Sequence, residues 1–185
     1  MPAAVDENLI FDSVIEVWRS AGFEAASTRK IAEKAGIAEV TLYRRFESKE
    51  KLFLAAFRNQ AQVLGSETPR LVTDIETDLK MAVGAYQNLM TRLGPIVIEV
   101  MGVQLSKSLQ KSLRPVASQG MGALDAVIQR YQKLGELRKT ESAELVIGLV
   151  GPILAMTLLS QAGMNRGANL DLNQHVKRFI IANGP

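Results

Sequence analysis

A glycine between two short helical patterns is the feature that most limits how this chain folds. The stretch from Ser27 to Leu52 reads STRKIAEKAGIAEVTLYRRFESKEKL, and Gly36 lies near its middle. Apolar residues recur at helical spacing on both sides of the glycine. Because glycine reaches the left-handed conformation of a helix C-cap at low cost, we expect the first helix to end there, and Ala32 lets the second cross close to it. The pattern predicts a helix-turn-helix, in which the second helix enters the DNA major groove.

This stretch resembles the N-terminal domain of the tetracycline-repressor (TetR) family. Many residues fall in the order and spacing of that family: Thr28-Arg29, Ile31-Ala32, Ala35-Gly36-Ile37, Thr41-Leu42-Tyr43, Phe46 and Ser48-Lys49-Glu50. The match extends from Phe11 to about Phe57, roughly the first third of the chain. The other interpretation of the pattern is a helical hairpin with no role in DNA binding.

Basic residues are concentrated in the same stretch. The chain has a net charge of +3, whereas residues 27–58 carry eight basic and four acidic side chains, and residues 1–26 carry one Arg and five acids. This positive excess lies where DNA phosphates would be bound. A solvated helix face would give the same excess, so the charge is only supporting evidence.

The remaining patterns predict an all-α fold, because helical periodicities follow one another without alternating strand signals. The composition, 47% hydrophobic and 5% aromatic, suits a helical core. A Gly-Ser-Glu-Thr-Pro segment at 65–69 predicts a linker. We therefore expect a three-helix DNA-binding domain at 6–60 and a helical ligand-binding and dimerisation domain at 61–185. Helices are predicted at 7–21, 39–45, 70–92, 95–105, 124–134, 141–162 and 171–182, with a break at Gly94-Pro95 and an ambiguous segment at 106–122.

The resemblance assigns DNA contacts to two sets of side chains. The exposed positions of the second helix of the motif would reach base edges by hydrogen bonds and methyl contacts: Glu39, Val40, Thr41 and Arg44. Hydroxyls, cations and helix N-termini would hold phosphates: Thr28, Arg29, Tyr43 and Lys49. Two positions depart from the family pattern, since Ala38 replaces a common capping Ser and Val40 replaces a small residue. Neither departure removes DNA binding, but both bear on which DNA sequence the protein recognises.

A strongly apolar run at 145–159 predicts either a subunit interface, an internal core helix or a membrane span. The run is shorter than the roughly 20 residues that a bilayer requires, and a proline interrupts it. Small residues at helical spacing favour close approach of another helix, and the last helix would complete a four-helix contact across a two-fold axis, as in the family. The predicted interface residues are Gly148, Gly151, Pro152, Ala155, Leu159, Val176 and Phe179.

We expect no catalytic residues, no metal and no cofactor. The chain has no cysteine and a single histidine, and His175 is not accompanied by a nucleophile elbow, a metal-ligand cluster or a nucleotide-binding loop. The resemblance implies a small-molecule pocket in the second domain. Polar and adaptable side chains within apolar helices are its candidates: Tyr86, Gln87, Met90, Glu99, Met101, Met121, Asp125 and Tyr131. Among them, Glu99 has apolar neighbours, and a buried carboxylate would favour a cationic or hydroxyl-bearing ligand.

The resulting hypothesis is a cytoplasmic, homodimeric transcriptional repressor that a small molecule releases from a palindromic double-stranded DNA operator. The alternative is an architectural DNA-binding protein that responds to no effector and whose second domain only dimerises. We expect no signal peptide, because the first ten residues contain neither a basic segment nor a long apolar run.

Overall fold

The described part of the protein is built from helices alone, as expected for an all-α fold. A computed structural model describes residues 6–66, 74–102, 105–164 and 169–185. Within these ranges, eight helices follow one another and no strand is present. They are α1 (Glu7–Ala25), α2 (Thr28–Lys34), α3 (Glu39–Phe46), α4 (Lys49–Ser66), α5 (Ile75–Met101), α6 (Lys107–Leu134), α7 (Ser142–Gln161) and α8 (Leu172–Asn183).

Both ends of α2 are fixed by local contacts, and the C-terminal end is the one predicted at Gly36. The side chain of Ser27 accepts a hydrogen bond from the backbone of Lys30 and caps the first turn. At the other end Gly36 has a φ of +67°, and the amide of Ile37 donates to the carbonyl of Ala32 over 3.0 Å. This bond pattern around a left-handed glycine is a Schellman motif. Gly36 therefore ends α2 and sets the direction in which α3 leaves.

The predicted break at Gly94-Pro95 is wrong, since α5 runs through it without interruption. A proline inside a helix removes one hydrogen bond and typically costs about 3 kcal/mol. The surrounding residues Leu93, Ile96 and Val100 are completely buried, and burying such side chains stabilises by about 1.5–3 kcal/mol each. Packing along this face thus offsets the cost of the proline.

The ambiguous segment at 106–122 is also helical, because α6 passes through Pro115 and Gly122 to Leu134. The predicted linker at 65–69 is described only at its first two residues. Gly65 and Ser66 belong to α4, and positions 67–69 lie outside the described residues.

The chain forms two compact units that are not divided at a single point of the sequence. The first contains the chain up to Val63 together with Ile96–Ala117, and the second contains Leu64–Pro95 and Ser118–Pro185. The predicted division into 6–60 and 61–185 assigned Ile96–Ala117 to the second domain and stays a prediction.

Aromatic packing forms the centre of the first unit. The Trp18 indole lies 5.0 Å from the ring of Phe53 and 6.0 Å from those of Phe23 and Phe57, measured between centroids. All four side chains are buried. Gln60 donates to the Asp12 carboxylate over 2.9 Å and links α4 to α1. These contacts fix α1 and α4, the two helices that accompany the helix-turn-helix.

The second unit has its own apolar core, to which α5, α6, α7 and α8 all contribute. Asp78 and Tyr131 form a buried polar pair within it, because the phenol donates to the carboxylate over 2.6 Å. Burial and this hydrogen bond raise the pKa of the Tyr131 phenol above its ordinary value. The phenol therefore stays protonated and keeps donating at neutral pH.

Candidate nucleic-acid interface and ligand cavity

The helix-turn-helix leaves one face of α3 open to solvent. Leu42 of α3 is buried, as are Ile31 and Ala32 of α2, and the two helices are in contact. On the opposite side, Val40 is 71% exposed and Tyr43 is 47% exposed. An exposed branched apolar side chain such as Val40 contributes little to the stability of the fold, because it is not removed from water. The open face of α3 is the surface that the sequence predicted to enter a groove.

Three of the predicted DNA-contact residues are joined by hydrogen bonds. The Thr28 hydroxyl donates to the Glu39 carboxylate over 2.5 Å, and its oxygen lies 3.2 Å from the Tyr43 hydroxyl. The first turn of α2 is thereby tied to α3, and two hydroxyls lie beside a carboxylate. A phosphate bound by these hydroxyls would have to displace or approach that negative charge.

The two cationic side chains predicted to bind phosphate differ in their exposure and in their protein contacts. Arg29 is exposed and pairs with Glu33 on the next turn at 3.1 Å. The ammonium group of Lys49 is bound within the protein, because it donates to the Glu24 carbonyl over 3.1 Å and lies 4.6 Å above the Phe23 ring. An ammonium has three donors, so this contact leaves donors for a phosphate.

The other predicted base readers also belong to α3. Arg44 is exposed, and Thr41 is half-buried with its amide donating to the Ala38 carbonyl. The Ala38 cap supplies no side-chain hydrogen bond to α3, as its identity predicted. The negative charge of Glu39 in the first turn of α3 still stabilises this helix, because it lies near the positive end of the helix dipole.

Glu99 has two protein partners in the first unit. One carboxylate oxygen accepts from the Trp18 indole over 2.7 Å, and the other accepts from the Phe23 amide over 2.8 Å. Between these donors Gly22 has a φ of +76°, which interrupts the helical backbone of α1. The sequence predicted a ligand contact for Glu99. The structure instead places its carboxylate at this interruption, where it satisfies two donors.

A cavity of about 310 Å³ lies in the second unit and is called the α5–α7 cavity here. Its walls come from α5, from the C-terminal half of α7 and from the segment before α8. The lining residues are Gln87, Met90, Thr91, Pro95, Ile153, Met156, Thr157, Ser160, Gln161 and Leu170. Two predicted ligand residues, Gln87 and Met90, are among them.

The other predicted ligand residues have different surroundings. Tyr86 and Met121 pack against the core of the second unit, and burial raises the pKa of the Tyr86 phenol. Asp125 accepts from Gln129 over 2.7 Å, and Met101 is exposed. The sequence analysis did not predict the cavity wall that α7 supplies. The sequence feature that could have indicated it is a set of polar residues at the C-terminal end of this apolar helix: Thr157, Ser160 and Gln161.

An apolar stripe of α7 faces solvent. Ile147 is 63% exposed, and further members at helical spacing are exposed or half-buried: Gly148, Gly151, Pro152, Ala155, Leu158 and Leu159. Two of the predicted interface residues differ from these. Val176 and Phe179 are buried in the core of the second unit and support α7 from inside, so within one chain they are core residues.

The same helix is the one described helix that is long and apolar enough to cross a membrane, by length and composition only. Its 20 residues agree with the predicted helix at 141–162 and contain the apolar run at 145–159. One of its faces packs into the core of the second unit through Leu145, Leu149 and Ile153. In the described ranges, no group of three His, Cys, Asp or Glu side chains is placed to hold a metal ion.

Comparisons with known proteins connect this geometry to bacterial regulators. The family model for bacterial regulatory proteins of the tetR family matches residues 10–56, which include α2 and α3. YdeS from Bacillus subtilis (strain 168), an uncharacterized HTH-type transcriptional regulator, is 28% identical over 182 residues, covering 94% of this chain and 88% of YdeS.

Solved structures share the whole fold at low sequence identity. A protein from Saccharomonospora viridis in complex with choline has a TM-score of 0.78 and 19% identity, with 96% of each chain covered. The transcriptional regulator FadR from Bacillus subtilis in complex with stearoyl-CoA has a TM-score of 0.71 and 18% identity, covering 95% of this chain and 96% of FadR.

Proposed function

We propose that this chain is a DNA-binding transcriptional regulator of the tetR family, which its similarity to that family supports, and that it acts as a homodimeric repressor that a small molecule releases from a palindromic operator. The observation that carries the proposal is the solvent-facing side of α3, on which Val40, Tyr43 and Arg44 are exposed while Leu42 of the same helix is buried. A helix presented in this way fits the major groove. The bacterial cytoplasm, where the operator is, would be its site of action.

The roles on DNA follow from the chemistry of each side chain. Arg44 offers two donors to a guanine, Glu39 an acceptor to the cytosine amino group, and Val40 a methyl surface to a thymine. The hydroxyls of Thr28 and Tyr43 would hold a phosphate, which fixes the register of the protein without reading the sequence. Thr41, Arg29 and Lys49 complete the proposed contact set.

A homodimer would account for the apolar stripe of α7. Two copies packed through α7 and α8 would bury it, with Gly148, Gly151 and Ala155 allowing close approach of the helices. Two α3 helices would then reach half-sites about 34 Å apart on a palindrome. One DNA-binding unit alone would make half of these contacts.

The α5–α7 cavity supports the proposal that the regulator responds to a small molecule. Relatives of the same fold were solved with choline and with stearoyl-CoA. Release requires the ligand to prefer a state in which the two DNA-binding units no longer match the half-sites. If no ligand occupies the cavity, the architectural alternative, with a second unit that only dimerises, gains support.

The test of DNA recognition begins with selection of bound fragments from the source genome, which yields the operator. Titrations of operator and scrambled duplex at fixed salt then compare Arg44→Ala and Tyr43→Phe with the parent protein. Arg44→Ala should weaken operator binding by about 1–3 kcal/mol and relax preference at one base pair. Tyr43→Phe should weaken binding to both duplexes by a similar factor, because a phosphate contact carries no sequence information.

The matched control is Arg138→Ala. Arg138 is an exposed arginine of the second unit that pairs with Glu144, so its removal should leave both titrations unchanged. Unchanged operator binding in both Arg44→Ala and Tyr43→Phe would contradict the assignment of α3 to the groove.

A further inference from the structure

The charge of its lining indicates what the α5–α7 cavity can hold. We propose that it binds a small uncharged amphiphile: an aliphatic group with a neutral head that donates hydrogen bonds, such as an alcohol or a primary amide. None of its ten described lining residues is acidic, basic or aromatic. A charged ligand buried there would lose water without gaining an ionic partner, and a cation would also lack an aromatic face.

Burial along the cavity wall orients such a ligand. Met90 and Ile153 are almost fully buried and form an apolar floor. Thr91, Ser160 and Gln161 are exposed lining residues and place hydroxyls and an amide near solvent. The aliphatic group would lie against the floor and the head group among these polar side chains, since each end then meets a surface of its own polarity.

Two of the wall hydroxyls already donate within the protein and keep their oxygens as acceptors, whereas the side chains of Gln87, Ser160 and Gln161 can both donate and accept. The Thr91 hydroxyl donates to the Gln87 carbonyl over 2.9 Å, and the Thr157 hydroxyl donates to the Ile153 carbonyl over 2.9 Å. Each hydroxyl oxygen can still accept. Pro95 has no N–H, so the helical hydrogen bond that would end on the Thr91 carbonyl is not made. A head group with O–H or N–H donors complements this set.

The close approach of α5 and α7 fixes the shape of the cavity. A Cβ atom on Gly94 would lie 2.6 Å from the Thr157 side chain, which is closer than non-bonded carbons pack. Only glycine at this position lets Thr157 lie against α5. The wall that carries the acceptors therefore depends on a specific backbone contact.

The first experiment measures thermal unfolding with four probes of equal chain length: 1-octanol, octanamide, octanoate and octyltrimethylammonium, at the same submillimolar concentration and neutral pH. Binding to the folded state raises the Tm. We expect octanol and octanamide to raise it and the two ions to leave it unchanged. Equal stabilisation by either ion, or no stabilisation by octanol and octanamide, would overturn the proposal.

Variants of α5 locate the effect. Thr91→Trp places an indole in the α5–α7 cavity and should abolish the Tm increase. Asn88→Trp is the matched control, because Asn88 is exposed on the same helix and is not a lining residue, so its Tm increase should persist. Gln87→Glu adds a carboxylate to the wall and should make octylammonium, a primary ammonium probe, the preferred ligand. Retained preference for octanamide in that variant would contradict the assignment.

The role of this ligand as an effector rests on the proposed function, and the two can fail separately. Operator release is titrated with octanamide in parallel with the Tm. A raised Tm without release keeps the cavity assignment and removes the effector role. Operator binding with an unchanged Tm removes the cavity assignment and leaves the DNA-binding function in place.

Discussion

At the scale of single residues, Glu39 opposes the groups that would bind phosphate. Its carboxylate accepts from the Thr28 hydroxyl, and that hydroxyl also lies 3.2 Å from the Tyr43 hydroxyl. A phosphate reaching these hydroxyls meets a like charge. At a cytosine the repulsion is offset, because the carboxylate can accept from the base amino group. On other sequences nothing offsets it, so Glu39 would penalise non-specific binding more than operator binding.

Glu39→Gln should therefore raise affinity for scrambled duplex more than for operator. A unit charge about 5 Å from a phosphate costs roughly 0.8 kcal/mol in water, which corresponds to about fourfold in affinity. Titrations of both duplexes at fixed salt would measure the ratio of the two affinities, and we expect it to fall by about this factor.

The control for this prediction is Glu33→Gln. Glu33 is an exposed carboxylate of α2 that pairs with Arg29, and it has no hydrogen bond to α3 among the described contacts. Its neutralisation should shift both affinities by the same factor. If Glu39→Gln behaves in the same way as Glu33→Gln, the carboxylate contributes only general electrostatics and has no part in discrimination.

At the scale of helices, α1 and the last turn of α5 are joined by one carboxylate. Glu99 satisfies the Trp18 indole and the Phe23 amide at the point where Gly22 interrupts α1. In Glu99→Gln a single carbonyl oxygen remains for two donors, and the new amide N–H₂ faces another donor. We expect a loss of about 1–3 kcal/mol in the free energy of unfolding, since one donor is left unsatisfied. Urea denaturation would measure it.

A double-mutant cycle with Trp18→Phe tests the cause of that loss. The phenylalanine removes the indole N–H, so the penalty of Glu99→Gln should be smaller in this background. Glu50→Gln, which changes an exposed carboxylate in the first turn of α4, should have an effect within about 0.5 kcal/mol. Additive effects of Trp18→Phe and Glu99→Gln would show that the carboxylate and the indole do not stabilise each other.

A comparison of α2 with α5 shows where local sequence rules predict a helix and where they do not. The ends of α2 follow from Ser27 and Gly36, because capping depends on neighbouring residues along the chain. The course of α5 through Gly94 and Pro95 depends on residues that are far apart in sequence. Gly94 accommodates Thr157 of α7, and buried Leu93 and Ile96 offset the cost of the proline. No local pattern contains that information.

The roles of individual residues also differ in whether nearby sequence predicts them. The exposed face of α3 was predictable, since helical periodicity separates Leu42 from Val40 and Tyr43. The partners of Glu99 were not, because they lie 76 and 81 positions earlier. Apolar sequence neighbours indicated that Glu99 would be shielded. They did not indicate whether its partner would be a ligand or the protein itself.

At the scale of the whole molecule, the proposed dimer depends on the stripe of α7 that one chain leaves open. Exposed apolar side chains such as Ile147, Leu158 and Leu159 occur at helical spacing on this helix. Contiguous exposed apolar surface marks interaction sites in proteins. The buried side of α7 is already occupied by the core of the second unit, so a partner would bind the open side.

Gly151→Leu tests this assembly without disturbing the fold of one chain. A Cβ atom at Gly151 would meet nothing within 4 Å in the described structure, and leucine favours a helix over glycine by roughly 0.8 kcal/mol. A monomer therefore tolerates the change, whereas a close helix contact across a two-fold axis would be overpacked, typically at a cost of about 1–3 kcal/mol. We expect sedimentation to show a shift toward monomer and operator titration to show weaker binding.

The matched control is Gly122→Leu. A Cβ atom at Gly122 also meets nothing within 4 Å, but this glycine lies on α6, so the variant should remain dimeric and bind as the parent does. A stable Gly151→Leu dimer with parental affinity would place the interface elsewhere, because no helix contact of the proposed kind would then pass over this glycine.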